Sequence, residues 1–364
     1  MIKFLDLNRL NRKYLQEFQP ALAVLVNEKA FILGDAVENF ENQWADYTAS
    51  GHAATTGSGF DAIYLIFEAY KLLGKLNPGD EVIIPAHTFI ASILPVIKAG
   101  LRPVLTDPSD EFLLSAKDIE PKITSRTKAI LPVHLYGRAV NLEEIQKLAS
   151  AHDLLVIDDA AQAHGAMFHG QKIGGLTDAT AWSFYPTKNL GGLGEGGAVT
   201  SHDEQLIETV KILRNYGQIE KYNSRYPGIN SRMDSLQASF LTIKLKDLDS
   251  LNEKRKKIAA YYHKNINHPG IKKPVFSSDE SHVFHQYVIS SNHRDELRKY
   301  LKDNGIETLI HYPVPPHKQK ALAGIIPENF PVSEQISRII LSLPMDPYLS
   351  FEELHYLTRI LNAF

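Results

Sequence analysis

The sequence predicts an α/β protein: a large unit on a mostly parallel sheet buried on both faces, then a smaller α+β unit. Two observations carry this. Up to about residue 200, short runs rich in Val, Ile and Leu alternate with helical segments, the pattern of parallel strands covered by helices on both sides. After about residue 230 the texture changes to a long lysine-rich helical stretch followed by mixed elements. The 364 residues also exceed the usual size of a single core. The expected division is residues 1–245 for the large unit and 246–364 for the small one.

Taken in order, residues 9–28 read as an opening amphipathic helix. Gly57, Ser58 and Gly59 form a glycine turn that opens a helix through FDAIYLIFEAY. Strands are expected at Glu81–Ala86, Arg102–Asp107, Lys128–Val133, Leu154–Asp159, Ala179–Phe184 and Gly196–Ser201. Between them, Asn141–His152 illustrates the helices, with Asn141 as cap and Leu142, Ile145 and Leu148 on one face. Ser235–Lys264 reads as one helical stretch, with Leu236, Phe240 and Ile243 spaced for a buried face. His282–Ser290 and Ile306–Tyr312 look like strands flanking a helix over Arg294–Asn304. The proline-rich HYPVPPH reads as a loop.

The net charge of −3 gives no electrostatic reason to expect nucleic acid or an anionic membrane as partner. Cysteine is absent, which removes disulfides and thiolate metal ligands and fits a cytoplasmic protein. Asp6, Arg9 and Arg12 interrupt the N-terminus too early for a signal-peptide core. The 15 histidines do not form closely spaced ligand pairs, so no metal is expected. His134, His164, His285, His311 and His317 read instead as hydrogen-bonding or substrate-contacting groups. GGLGEGG leads into a strand rather than a helix and is not a dinucleotide fingerprint.

Lys188 follows a strand-like run and precedes a glycine-rich turn, Gly191–Gly197. A lysine fixed there can present its amine to a cleft and form a Schiff base with a carbonyl cofactor. Asp159 closes an upstream strand. A carboxylate at a strand end suits pyridoxal phosphate, whose ring nitrogen must stay protonated for the ring to act as an electron sink. The turn at Gly57–Gly59 supplies backbone N–H groups at a helix start, which suit a phosphate.

Five separated motifs then occur in one order: TGSGFDAIYL, PAHTFIAS, IDDAAQAHGA, SFYPTKNLG and GINSRMDSLQAS. With them the chain resembles the DegT-type nucleotide-sugar aminotransferases, fold-type-I pyridoxal-phosphate enzymes, over almost its whole length. The resemblance implies that Lys188 holds the cofactor and moves the proton, with Asp159, rather than Asp158, under the pyridine nitrogen. It places the phosphate on the N–H groups of Gly59 and Phe60, with Ser58 and Ser183 alongside. Many relatives have threonine where Phe60 stands, so that hydroxyl contact is missing. Phe89 would stack on the ring and Gln162 would reach its 3-hydroxyl. Asn230 would reach the phosphate of the neighbouring subunit, giving a homodimer with shared active sites.

The combination VHLYG, AAQAHGA, SFYPTKNLG, LRNYG and HYPVPPH resembles the members that aminate C3 of dTDP-3-keto-6-deoxyhexoses, with L-glutamate as donor. Tyr185, His311, Tyr312 and His317 are then expected to contact the sugar nucleotide. The competing readings are a C4 aminotransferase on a UDP- or dTDP-4-keto sugar and a non-catalytic regulator on the same scaffold. A regulator would be expected to lose Lys188 or Asp159, and a dehydratase of this fold to replace the lysine with histidine. A nicotinamide dehydrogenase would need phosphate-loop glycines that are absent here.

Overall fold

A computed structural model describes residues 1–27, 31–108, 112–276 and 281–364. Its centre is a seven-stranded sheet of β1 (His52–Thr56), β2 (Glu81–Pro85), β3 (Arg102–Thr106), β4 (Thr127–Ile130), β5 (Leu155–Asp159), β6 (Ala179–Ser183) and β7 (Gly197–Ser201). The spatial order is β1-β7-β6-β5-β4-β2-β3. Strands β6, β5, β4, β2 and β3 run parallel, and β7 runs antiparallel to both β6 and β1.

Burial explains the composition of the strands. Every residue of β2 and β7 is buried, and two apolar clusters occupy the opposite faces of the sheet. One contains Trp44, Trp182 and Phe184, the two tryptophans edge to face at 4.9 Å. The other contains Ile66, Phe67, Ile84 and Val199. The strand β1 has the sequence HAATT, with small side chains in place of the Val and Ile that mark a strand, which is why pattern reading passes over it.

A buried ion pair ties β1 to the helices beside it. Glu41, on the Asp35–Thr48 helix, accepts from the Thr55 N–H at 2.7 Å, from the Thr55 hydroxyl at 2.8 Å and from Arg214. Arg214 also donates to the Thr55 carbonyl at 2.7 Å.

The expected helix over residues 9–28 is two helices, Leu7–Arg12 and Leu15–Val26, broken where Tyr14 turns into the core; residue 28 lies outside the described residues. Ser235–Lys264 is likewise two, Ser235–Leu245 and Leu248–Asn265, parted at Asp247, which pairs with Lys13. The Asn141 cap stands as expected, accepting from the Glu144 N–H.

A separate apolar cluster, including Tyr262, Phe284, Tyr287, Leu297, Leu301 and Leu341, organises the C-terminal part, and Ile2 joins it by pairing with Ile306. Here β8 (Tyr287–Ser290) and β9 (Ile340–Leu343) form an antiparallel pair. The expected strand His282–Ser290 begins only at Tyr287, because Val283 and Gln286 bond to the segment after β4 instead and the Phe284 N–H turns back to His282 Nδ1. The Val283 N–H donates to the Gly137 carbonyl and the Gln286 N–H to that of Tyr136, and Phe284 adopts φ +46°. Ile306–Tyr312 is not a strand; only Ile306 and Leu309 make isolated bridges. Among the described residues no helix is long and apolar enough to cross a membrane.

Glu41→Ala should leave Arg214 buried with its charge partner gone, at a cost of about 3–5 kcal/mol. Chemical unfolding of the two proteins checks this; an unchanged midpoint would mean that the pair does not support β1.

Candidate active site

The parallel strands β2, β4, β5 and β6 end at one edge of the sheet. The C-terminal end of β1 lies there too, and so does the start of the reversed strand β7, where Gly197 pairs with both Thr56 and Ser183. In open α/β sheets this edge is where ligands bind. A cavity of about 520 Å³ lies there, lined from the large unit by Ser58, Gly59, Phe60, Phe89, Asp159, Gln162, Ser183, Tyr185 and Lys188. His285, Gln286, His311 and Tyr312 close it from the C-terminal part.

The phosphate-sized corner is built by close backbone approach. A Cβ on Gly59 would stand 2.6 Å from the Ser183 Cβ, and one on Gly197 would stand 2.3 Å from the Ser58 carbonyl oxygen. Gly59 begins a 14-residue helix whose cap is Ser58, with the Ser58 hydroxyl accepting from the Asp61 N–H at 3.1 Å. The Gly59 and Phe60 N–H groups, at the first two helical positions, have no intrahelical acceptor and suit an anion. Ser231 braces the turn, accepting from the Gly57 N–H at 2.9 Å and donating to Asp61 at 2.8 Å.

Asp159 is almost fully buried. One carboxylate oxygen accepts from the Ser92 hydroxyl at 2.7 Å and the other from the Ala161 N–H at 3.1 Å. Asp158 points away and accepts from Thr177 at 2.9 Å. The second carboxylate is therefore the one in the cavity. Phe89 is 49% exposed although it stands in a cavity wall, and its ring is 5.2 Å from that of Tyr312. Gln162 is held at both ends of its amide: it accepts from the Tyr136 N–H at 2.6 Å and donates to the Tyr312 hydroxyl at 3.1 Å.

Burial pushes the Lys188 amine down to about 8, with the negative charge of Asp159 opposing the shift. A substantial neutral fraction is then present near neutrality, as a proton-moving amine requires. Burial, reinforced by the charge of Lys188, pushes His311 down to about 4; its Nδ1 lies 2.8 Å from the Ser342 hydroxyl. His311 is therefore neutral near pH 7.

Two expected residues stand apart. His317 does not line the cavity: it is buried against Phe330 at 4.9 Å, with Nε2 3.3 Å from the Glu334 carboxylate. The proline-rich loop thus delivers His311 and Tyr312 to the site and turns His317 into a packing contact. Asn230 is exposed and lies outside the cavity of its own chain. Pattern reading missed Ser92, Glu195 and Gln286, which hold Asp159 or line the wall. For Ser92, its place in the PAHTFIAS motif was the available signal.

The glycine-cradled anion corner, the aromatic wall, the buried strand-end carboxylate and the lysine of lowered basicity fit the phosphate, ring, ring nitrogen and aldehyde of pyridoxal phosphate. Fold and site define an aminotransferase of the pyridoxal-phosphate class. The chain belongs to the DegT/DnrJ/EryC1/StrS aminotransferase family, whose pattern matches residues 13–362. It is 45% identical over 365 residues to the dTDP-3-amino-3,6-dideoxy-alpha-D-galactopyranose transaminase of Aneurinibacillus thermoaerophilus, covering 100% of this chain and 99% of the relative. It is 43% identical over 352 residues to the dTDP-3-amino-3,4,6-trideoxy-alpha-D-glucose transaminase of Streptomyces venezuelae, covering 96% and 92%. The crystal structure of S. venezuelae DesV in complex with a ketimine intermediate superposes with a TM-score of 0.95 at 41% identity, covering 100% of this chain and 98% of that one.

Because the Lys188 amine sits at about 8 rather than 10.5, its neutral, nucleophilic form should accumulate as pH rises through about 8. The rate at which cofactor-free protein captures pyridoxal phosphate should climb to about that pH and then level off. A rate still climbing near pH 10 would show the amine to be unshifted.

Proposed function

We propose that this chain moves an amino group from L-glutamate to C3 of a dTDP-3-keto-6-deoxyhexose, giving a dTDP-3-amino-3,6-dideoxyhexose. The observation that carries the reading is the full-length similarity to a transaminase named for such a sugar, joined to a cavity that retains both Lys188 and Asp159. Bound pyridoxal phosphate supplies the electron sink. Lys188 Nζ would take the proton from the carbon that bears the nitrogen and hand it on. Asp159, held by Ser92 and Ala161, would keep the ring nitrogen protonated. Gly59 and Phe60 would hold the phosphate, with Ser58 and Ser183 alongside. Phe89 would back the ring and Gln162 would bond its 3-hydroxyl. Tyr185, His311 and Tyr312 stand on the sugar side; His317, turned toward Glu334, acts only by shaping the loop.

The reading includes a homodimer, a cytoplasmic setting and the division at residues 245 and 246. Leu15, Leu22, Val24, Val26, Phe31 and Ile32 are all at least 40% exposed, an apolar surface of the kind a partner covers. Asn230, outside its own cavity, is free to serve the partner's. The separate C-terminal cluster supports the division, with Ile2 added to it.

Lys188→Ala should keep the fold and bind the cofactor non-covalently, while transamination falls by at least about a hundredfold. Turnover near the wild-type rate would remove Lys188 from the mechanism. The substrate assignment is tested by offering dTDP- and UDP-linked keto sugars with glutamate and locating the new amine by NMR. It should appear at C3 of the dTDP sugar. A 4-keto isomer aminated as fast or faster would replace this reading with the C4 one.

A further inference from the structure

His285 lines the cavity together with Gln286, His311 and Tyr312. Its protonation pattern can be read from fixed points. The Asn252 amide nitrogen donates to the His164 carbonyl at 2.8 Å, so the side-chain oxygen of Asn252 is its acceptor end. The Asn189 amide nitrogen donates to that oxygen at 2.9 Å and to the Val283 carbonyl at 3.2 Å. Both amides are thus oriented by backbone carbonyls, which can only accept. What Asn189 offers His285 is its oxygen, 3.0 Å from Nδ1. An oxygen of that kind can only accept, so Nδ1 carries the hydrogen and Nε2 is a bare lone pair.

Burial, reinforced by the positive charge of Lys188, holds the ring well below the usual histidine range, so the imidazole is neutral. The ring is half-buried, and Nε2 has no hydrogen-bond partner among the described residues. Asn189 is also the residue after Lys188, so the chain that presents the amine is the chain that sets the histidine.

We propose that His285 determines specificity for the amino acceptor: its Nε2 accepts a hydrogen bond from a sugar hydroxyl on a carbon flanking the reacting carbonyl. The chemistry selects a hydroxyl, because a bare imidazole nitrogen needs a donor, and a carbonyl or ether oxygen in that place would meet it lone pair to lone pair. Neutrality matters as well, since a cationic ring there would disfavour protonation of Lys188. The inference rests on the keto-sugar reading above.

The test compares the dTDP-3-keto-6-deoxyhexose with its 2-deoxy and 4-deoxy counterparts, in wild type, His285→Phe and His285→Gln. Wild type should use one of the two deoxy sugars about tenfold less well in kcat/KM, the size of one neutral hydrogen bond with its buried acceptor left unpaired. His285→Phe should show a similar loss on the hydroxylated sugar and little further loss on that deoxy sugar. His285→Gln should recover part of the preference. The glutamate half-reaction, followed alone by the change in cofactor absorbance, should keep its rate in both variants. Wild type without preference for either flanking hydroxyl overturns the proposal whatever the variants do. So does an equal loss in His285→Phe on all three sugars, or a matching loss in the glutamate half-reaction. If the panel places the amine at C4, the keto-sugar reading has failed at C3, and the same cycle with the hydroxyls flanking C4 judges His285 separately.

Discussion

The carboxylate of Asp159 is fixed from every side on which the chain can fix it. Its N–H donates to the Pro132 carbonyl and its own carbonyl accepts from the His134 N–H, while the strand pairs with β6 at Ala181. Its two oxygens are held by Ser92 and Ala161. A charge buried this deeply must be paired or well hydrogen-bonded, and here the partners also set its direction. Lys188 follows β6, the next strand over. The spacing of two hydrogen-bonded strands thereby becomes the spacing between carboxylate and amine. The remaining walls are positioned relative to that pair.

Reversal of β7 serves the same geometry. A strand parallel to β6 would have begun at the far edge of the sheet, and the chain after Lys188 would have had to cross over it. Running antiparallel, β7 starts beside Ser183, so the glycine turn after Lys188 stays at the site. Gly197 then lies against the Ser58 carbonyl at a distance no side chain permits. The glycine-rich turn after Lys188 is close packing in the fold: a Cβ on Gly191 would meet the Pro186 carbonyl, one on Gly192 the Gln237 side chain, and one on Gly197 the Ser58 carbonyl.

Much of this was legible beforehand because it is local. Asp159 closes one apolar strand and Lys188 lies shortly after the end of another, and a strand end is visible in a single window of sequence. The helix at Gly59 announces itself through Ser58 and the periodic residues after it. What was not legible depends on partners far along the chain. Ser92 meets Asp159 across 67 residues and Asn189 meets His285 across 96. The strand HAATT carries no β-branched apolar residue, and its ladder with β7, far along the chain, makes it a strand. His317 sits in the same stiff loop as His311, but Glu334 and Phe330 claim it. His282–Gln286 has the composition of a strand, yet the N–H groups of Val283 and Gln286 find the carbonyls of Gly137 and Tyr136 in place of a ladder.

That last exchange has a mechanical side. The segment carrying His285 and Gln286 is stitched to the large unit by Val283 to Gly137, Gln286 to Tyr136 and Asn189 to Val283, and Ala139 donates to Ser281 close by. Swinging the C-terminal part away as a rigid jaw would tear these bonds together and leave their buried donors without partners. The vessel is thus seamed along one wall, and whatever enters it has to do so with the seam intact.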